Sequence, residues 1–164
     1  MRSEFTERNN QYSPSTWDNR NILTLTGGKK LGRNWDVGIK WRYVGGRPYT
    51  PYDTSASALK ANWDARGTGV LDYTQVNTQR LDAFHQLDVR IDKTWFLNKW
   101  SANIYLDIQN LYNFKSRNPD ILNVKSDQNG VPVTDPNNPD YYEIYFIKDQ
   151  TGTVLPTIGL IIDF

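Results

Sequence analysis

Residues 35–44 read WDVGIKWRYV, and the alternation inside this stretch decides the fold class. Trp35, Val37, Ile39, Trp41 and Tyr43 fall on one side; Asp36, Gly38, Lys40 and Arg42 fall on the other. A period of two marks a β-strand with one apolar face. A soluble sheet burying that face is compatible with the alternation. The placement of the rings narrows the choice, because Trp stands at one end, Trp and Tyr at the other, and aliphatics between. Amphipathic rings prefer the two membrane interfaces and aliphatic side chains the hydrocarbon, so a lipid-facing strand requires this order.

The same order recurs outward from residue 44. In residues 100–114, WSANIYLDIQNLYNF, the apolar face holds Trp100, Ala102, Ile104, Leu106 and Ile108, followed by Tyr112 and Phe114. Ser101, Asn103, Tyr105, Asp107, Gln109 and Asn113 face the other way. In residues 84–96, FHQLDVRIDKTWF, Leu87, Val89 and Ile91 alternate with Gln86, Asp88, Arg90 and Asp92, and Trp95 closes the apolar face. Successive charges on one strand face need partners in a dry core, whereas a wet interior accommodates them. Residues 19–31, NRNILTLTGGKKL, carry a weaker pattern: Leu23 and Leu25 share a face with two Asn, and Ile22 opposes them. The last ten residues, LPTIGLIIDF, step back from Phe164 through Ile162, Leu160 and Ile158. Strands are therefore expected at about 19–30, 35–44, 83–97, 100–114 and 154–164, each long enough for the roughly 9 to 11 residues a tilted strand needs to cross hydrocarbon, the extra residues extending above the membrane.

Connection lengths point the same way. Residues 31–34 (LGRN) and 97–99 (LNK) join strand pairs as tight turns, while long loops run over about 45–80 and 115–153. Short, long, short, long is the rhythm of an outer-membrane barrel with tight periplasmic turns and extended outer loops. Unstructured loops of that length are uncommon in compact soluble domains. With both tight turns on the periplasmic side, the strands run down, up, down, up, down, and Phe164 arrives at the periplasm. Within the second loop, residues 141–156 (YYEIYFIKDQTGTVLP) read as a small hairpin turning near 149–152 and running into the last strand.

Composition is consistent with this fold class. Lys plus Arg total 19 and Asp plus Glu 18, which leaves no net field to draw nucleic acid. Mean hydropathy is −0.69 while aromatics make up 13% of the chain. Polar bulk with abundant rings fits either a membrane β-barrel or a soluble β-domain that binds carbohydrate on exposed aromatics. Cysteine is absent, so disulfides and thiolate metal sites are excluded. No apolar run reaches the roughly 18 residues of a transmembrane helix. The opening residues, MRSEFTERNNQYS, lack the apolar stretch of a secretion leader.

With these residues placed, the chain resembles the C-terminal portion of TonB-dependent receptors, the large import barrels of the Gram-negative outer membrane. The resemblance rests on residues 17–53, WDNRNILTLTGGKKLGRNWDVGIKWRYVGGRPYTPYD, together with FHQLDVRIDKTWF, WSANIYLDIQNLYNF and LPTIGLIIDF. It implies an all-β fold, an antiparallel transmembrane β-barrel segment of about five strands with short periplasmic turns and long extracellular loops. On its own this segment is an incomplete barrel. It also implies that Ile158, Leu160, Ile162 and Phe164 carry the signal read by the barrel-assembly machinery. The implied partners are outer-membrane lipid, the remainder of the barrel with its plug domain, and the energy-coupling TonB protein, contacted through regions outside this chain. The implied activity is uptake of a siderophore, vitamin or glycan, with no cofactor. The family's barrel is much larger than 164 residues allow, so the chain is expected to be a fragment, a truncated frame, or one piece of an assembly such as a ring of several copies.

Candidate site residues are few. In residues 43–69, Arg47, Tyr49, Tyr52 and Trp63 offer a guanidinium and rings that would hold an anionic siderophore or a sugar face. The plainer reading is that Gly45, Gly46, Pro48 and Pro51 shape the strand exit while the two tyrosines top the outer girdle. Lys40, Arg42, Asp88, Arg90 and Asp92 either line a polar channel or form cross-strand pairs on a wet face. His85 is the single histidine, so a histidine-rich metal site is not expected. SDQNG and DPNNPD look faintly like oxygen-rich cation loops but lack the full spacing, and read as turns. No catalytic grouping stands out.

Overall fold

The computed structural model describes residues 3–6 and 12–164, so part of the stretch read for a secretion leader lies outside the described residues. The strands are β1 (Glu4–Thr6), β2 (Tyr12–Pro14), β3 (Ile22–Leu31), β4 (Trp35–Val44), β5 (Pro48–Tyr49), β6 (Gln79–Arg80) and β7 (Phe84–Phe96). They continue with β8 (Ser101–Gln109), β9 (Ser116–Arg117), β10 (Ile121–Val124), β11 (Ile144–Ile147), β12 (Gln150–Thr151) and β13 (Leu155–Asp163). Two short helices, α1 (Thr54–Ala58) and α2 (Lys60–Arg66), lie between β5 and β6. The fold is antiparallel β, divided into two compact units.

One unit comprises Arg20–Gly45, Ala83–Ser116 and Thr151–Phe164. It holds a five-stranded antiparallel sheet in the order β13-β8-β7-β4-β3. Residues directly opposite in an antiparallel pair project from the same face, so the registers extend the alternation of residues 35–44 across all five strands. One row runs Gly27, Ile39, Val89, Ile108 and Pro156. The next runs Lys29, Val37, Ile91, Leu106 and Ile158. A third runs Leu31, Trp35, Lys93, Ile104 and Leu160. On the opposite face the rows read Gly28, Gly38, Arg90, Asp107, Thr157 and Lys30, Asp36, Asp92, Tyr105, Gly159. A single change of register would exchange the two sets, and none occurs.

The strand ends differ from the sequence reading at three places. Trp100, expected to head the fourth strand, sits in the β7–β8 turn, which Leu97 closes by donating its N–H to the Trp100 carbonyl at 2.9 Å. Tyr112 and Phe114 were expected on that strand, but β8 stops at Gln109. Asn110 and Asn113 then take left-handed φ of 55° and 54°, which Asn tolerates better than other side chains. The buried Asn110 fixes this corner: its N–H donates to Asp88 Oδ1 at 3.0 Å, and its side chain accepts from Phe114 N at 2.8 Å. The third difference is the hairpin expected over 141–156. β11 instead pairs with β10, Ile144 to Val124 through Ile147 to Ile121, because that register seats Leu122 and Val124 in a core.

The other unit comprises Met1–Asn19, Gly46–Asp82 and Arg117–Gln150. Among the described residues, its buried apolar side chains include Pro48, Ala58, Leu122 and Val124, and Ser57 is buried as well. Asp53 caps α1 by accepting from Ala56 N at 2.8 Å, and Gly67 ends α2 at φ 65°, the left-handed conformation glycine adopts without cost. Arg80 clamps three segments: its guanidinium donates to the Asp18 carboxylate at 2.5 Å, the Asp18 carbonyl at 2.8 Å and the Gly46 carbonyl at 2.9 Å. Asn77 adds a second tie, donating to the Pro14 carbonyl at 2.7 Å. No helix among the described residues is long and apolar enough to cross a membrane, which says nothing of a β-barrel.

Candidate functional site

Two surfaces stand out, one in each unit. The first is the apolar face of the five-stranded sheet. Ile39 is 52% exposed and Ile104 45%, so none of the described residues covers the aliphatic centre of the sheet. At the turn end, Trp35 and Trp95 flank Lys93, whose ammonium lies 5.3 and 5.5 Å from their ring centres and donates to the Arg33 carbonyl. Lys93 thus lays its stem on the apolar face and carries its charge to the turn. At the far end Trp41 and Tyr43 stack at 6.1 Å. Trp35 and Tyr43 are eight positions apart, roughly 27 Å along a strand. At the 35–45° tilt of barrel strands that length rises about 20 Å, somewhat less than the apolar band of about 25 Å on outer-membrane barrels.

The residues expected to carry the assembly signal have definite places here. Ile158, Leu160 and Ile162 stand on the apolar face of the edge strand β13, at 77%, 60% and 44% exposure, and Phe164 lies past its end, fully exposed. His85 is the second residue of β7, its Nδ1 2.7 Å from the Tyr112 hydroxyl and its ring centre 4.1 Å from that of Phe114. On the polar face, Arg90 grips Asp92 through two bonds of 2.9 and 2.8 Å and lies 4.0 Å from the Tyr105 ring centre. Arg42 donates to Gln86 at 3.3 Å, and Gln86 to Asp88 at 2.6 Å. The Arg42–Gln86 bond crosses from β4 to β7 and Arg90 reaches over Tyr105 of β8, while the Gln86–Asp88 and Arg90–Asp92 bonds run along β7.

The second surface is a cavity of about 380 Å³ within the other unit. Tyr49, Tyr52 and Arg80 come from residues 49–80, Arg117 and Asp120 from residues 117–120, and Phe146 from β11. Of the four residues singled out in sequence, Tyr49 and Tyr52 line it. Arg47 reaches it indirectly, donating to the lining residue Asn118 at 3.0 Å. Trp63 sits on α2 and is absent from the lining. Arg117, Asp120, Asp82 and Phe146 were missed, and nothing in the sequence reading marked any of them.

The electrostatics of the lining are balanced. Arg117 lies 3.1 Å from Asp120, whose hydrogen bond and charge raise the guanidinium further above its ordinary value. Arg80 is held by Asp18. Asp82 brings one more carboxylate. The aspartates of the two turn-like motifs are engaged elsewhere: Asp127 accepts from Asn129 N and Val131 N at 2.8 Å each, and Asp135 from Asn137 N at 2.8 Å. No family model, curated protein or solved structure matches the chain.

Proposed function

We propose that the chain is the wall and outer-loop portion of a bacterial outer-membrane import receptor of the TonB-dependent kind. One observation carries the reading: a five-stranded antiparallel meander keeps an aliphatic band, bounded by rings at both ends, uncovered on one face, while its other face is charged. Soluble monomers rarely leave a contiguous apolar patch of more than a few hundred Å² open to water. A bilayer satisfies the first face and a wet lumen or a plug the second.

Strand parity supports the same reading. β3 and β13 are the free edges, and in an antiparallel sheet of five they run in the same direction. The sheet cannot close on itself with antiparallel pairing throughout. Each edge calls for a neighbour of opposite direction, so closure needs an odd number of further strands, supplied by the remainder of the barrel. The total is then even, as in bacterial single-chain barrels. In this reading β13 carries Ile158, Leu160, Ile162 and Phe164 to the assembly machinery. The connections leaving β4 and β8 supply the part that captures ligand outside the cell. Plug movement, driven through the energy-coupling protein, belongs to regions beyond this chain.

Flotation tests it. The full chain, diluted from denaturant into vesicles of outer-membrane lipid, is expected to float with them and to stay bound in alkaline carbonate. A folded, monomeric chain that remains in detergent-free buffer and never floats would overturn the reading in favour of a soluble β-domain.

A further inference from the structure

We infer that the cavity bounded by Tyr49, Tyr52, Phe146, Asp82, Arg117 and Asp120 takes a neutral saccharide. The inference borrows from the proposed function only the idea that this unit captures the imported ligand. The cavity's chemistry stands apart from it.

The size is suitable, since about 380 Å³ lies in the lower part of the roughly 300–1,000 Å³ typical of small-molecule sites. The rings are arranged to receive a ligand. Tyr52 and Phe146 have centroids 6.4 Å apart with planes inclined at 54°, so they make an open corner, and Phe146 is 48% exposed within it. A flat, apolar, ring-shaped surface is what such a corner binds, and the C–H face of a pyranose has that form.

The Tyr52 ring is held in place. Tyr52 pairs with Leu71, and a Cβ added to Gly69 would come within 2.8 Å of the Tyr52 ring. Glycine is needed at position 69 for this close approach. On the polar side, Arg47 fixes Asn118. A site whose rings and amides are already positioned loses little freedom on binding.

Charge decides the ligand class. Both guanidiniums in the lining already meet carboxylates, Arg80 at Asp18 and Arg117 at Asp120, and Asp82 adds a further negative group. An anionic chelate or phosphate would find every lining guanidinium matched and one carboxylate opposed to it. A hydroxyl is both donor and acceptor, so vicinal hydroxyls can accept from Arg117 while donating to Asp120 and Asp82. Rings beneath and alternating donors and acceptors around them suit a sugar better than an anion or a purely apolar molecule.

Calorimetric titration of the full chain in detergent micelles, against cellohexaose, xylohexaose, maltohexaose and mannohexaose, tests this. A ferric tris-catecholate serves as the anionic comparison. At least one oligosaccharide is expected to bind, and Phe146→Ala and Tyr52→Ala should each weaken it roughly tenfold. Gly69→Val, which displaces the ring without removing any polar group, should weaken it as well. Lys99→Gln, exposed in the β7–β8 turn and outside the lining, should leave binding near its original value. Circular dichroism of each variant separates lost binding from lost fold. Heat from the chelate with none from any oligosaccharide, or no heat from either, overturns the inference. A chain that floats with vesicles but takes no sugar sinks this inference alone; one that takes sugar but never floats sinks the membrane reading alone.

Discussion

Gly46 shows how one residue sets the local chain path. A Cβ built there would come within 1.7 Å of the Leu81 carbonyl oxygen, too close for any side chain, so the backbone of residue 46 can pass Leu81 only as glycine. Its own carbonyl accepts from Arg80, which also holds Asp18, itself only 3% exposed. Arg80→Ala takes the guanidinium away from a buried carboxylate. The expected cost is about 3 kcal/mol, at the low end for broken buried pairs because the Arg80 side chain keeps 22% exposure. Gly46→Ala should be at least as damaging, since the clash is with backbone. Chemical denaturation followed by tryptophan fluorescence reads both, and unchanged midpoints would show that the clamp does not hold this unit together. Neither role was legible in sequence. Asp18 and Arg80 lie 62 positions apart with no pattern joining them.

At the scale of elements, the two faces of the sheet should respond differently to charge. Ile39 and Ile104 lie in the middle of the band, and Arg or Lys at the midplane of a membrane barrel costs about 2–4 kcal/mol. Ile104→Arg should therefore sharply lower the fraction of chain that inserts into vesicles. Lys40→Gln, one residue along β4 from Ile39 and on the opposite face, should leave insertion unchanged. Equal responses at the two positions would mean that the faces are not distinguished by their surroundings. Of the five long strands, β4, β7 and β8 could be read from sequence because each repeats the same alternation for nine residues or more, whereas β3 and β13 carry it only in part. α1 and α2 could not, for helices of five and seven residues complete too few turns to show a 3.6 period. The β10–β11 pair was likewise hidden, because Ile144–Ile147 pairs back to Ile121–Val124, at least 20 positions earlier, and not to its neighbour in the chain. The cavity draws on residues from 49 to 146, so proximity in sequence identified Tyr49 and Tyr52 but not Phe146.

For the molecule as a whole, the account depends on what the apolar face touches. That face has rings at its two ends, aliphatics between, and none of the described residues over its centre. The most direct test places a fluorescent probe singly at positions 39, 40, 104 and 107 of the full chain in bilayers containing brominated lipid. Strong quenching at 39 and 104, with weak quenching at 40 and 107, is the predicted alternation. Equal quenching at all four, or none at 39 and 104, would contradict it.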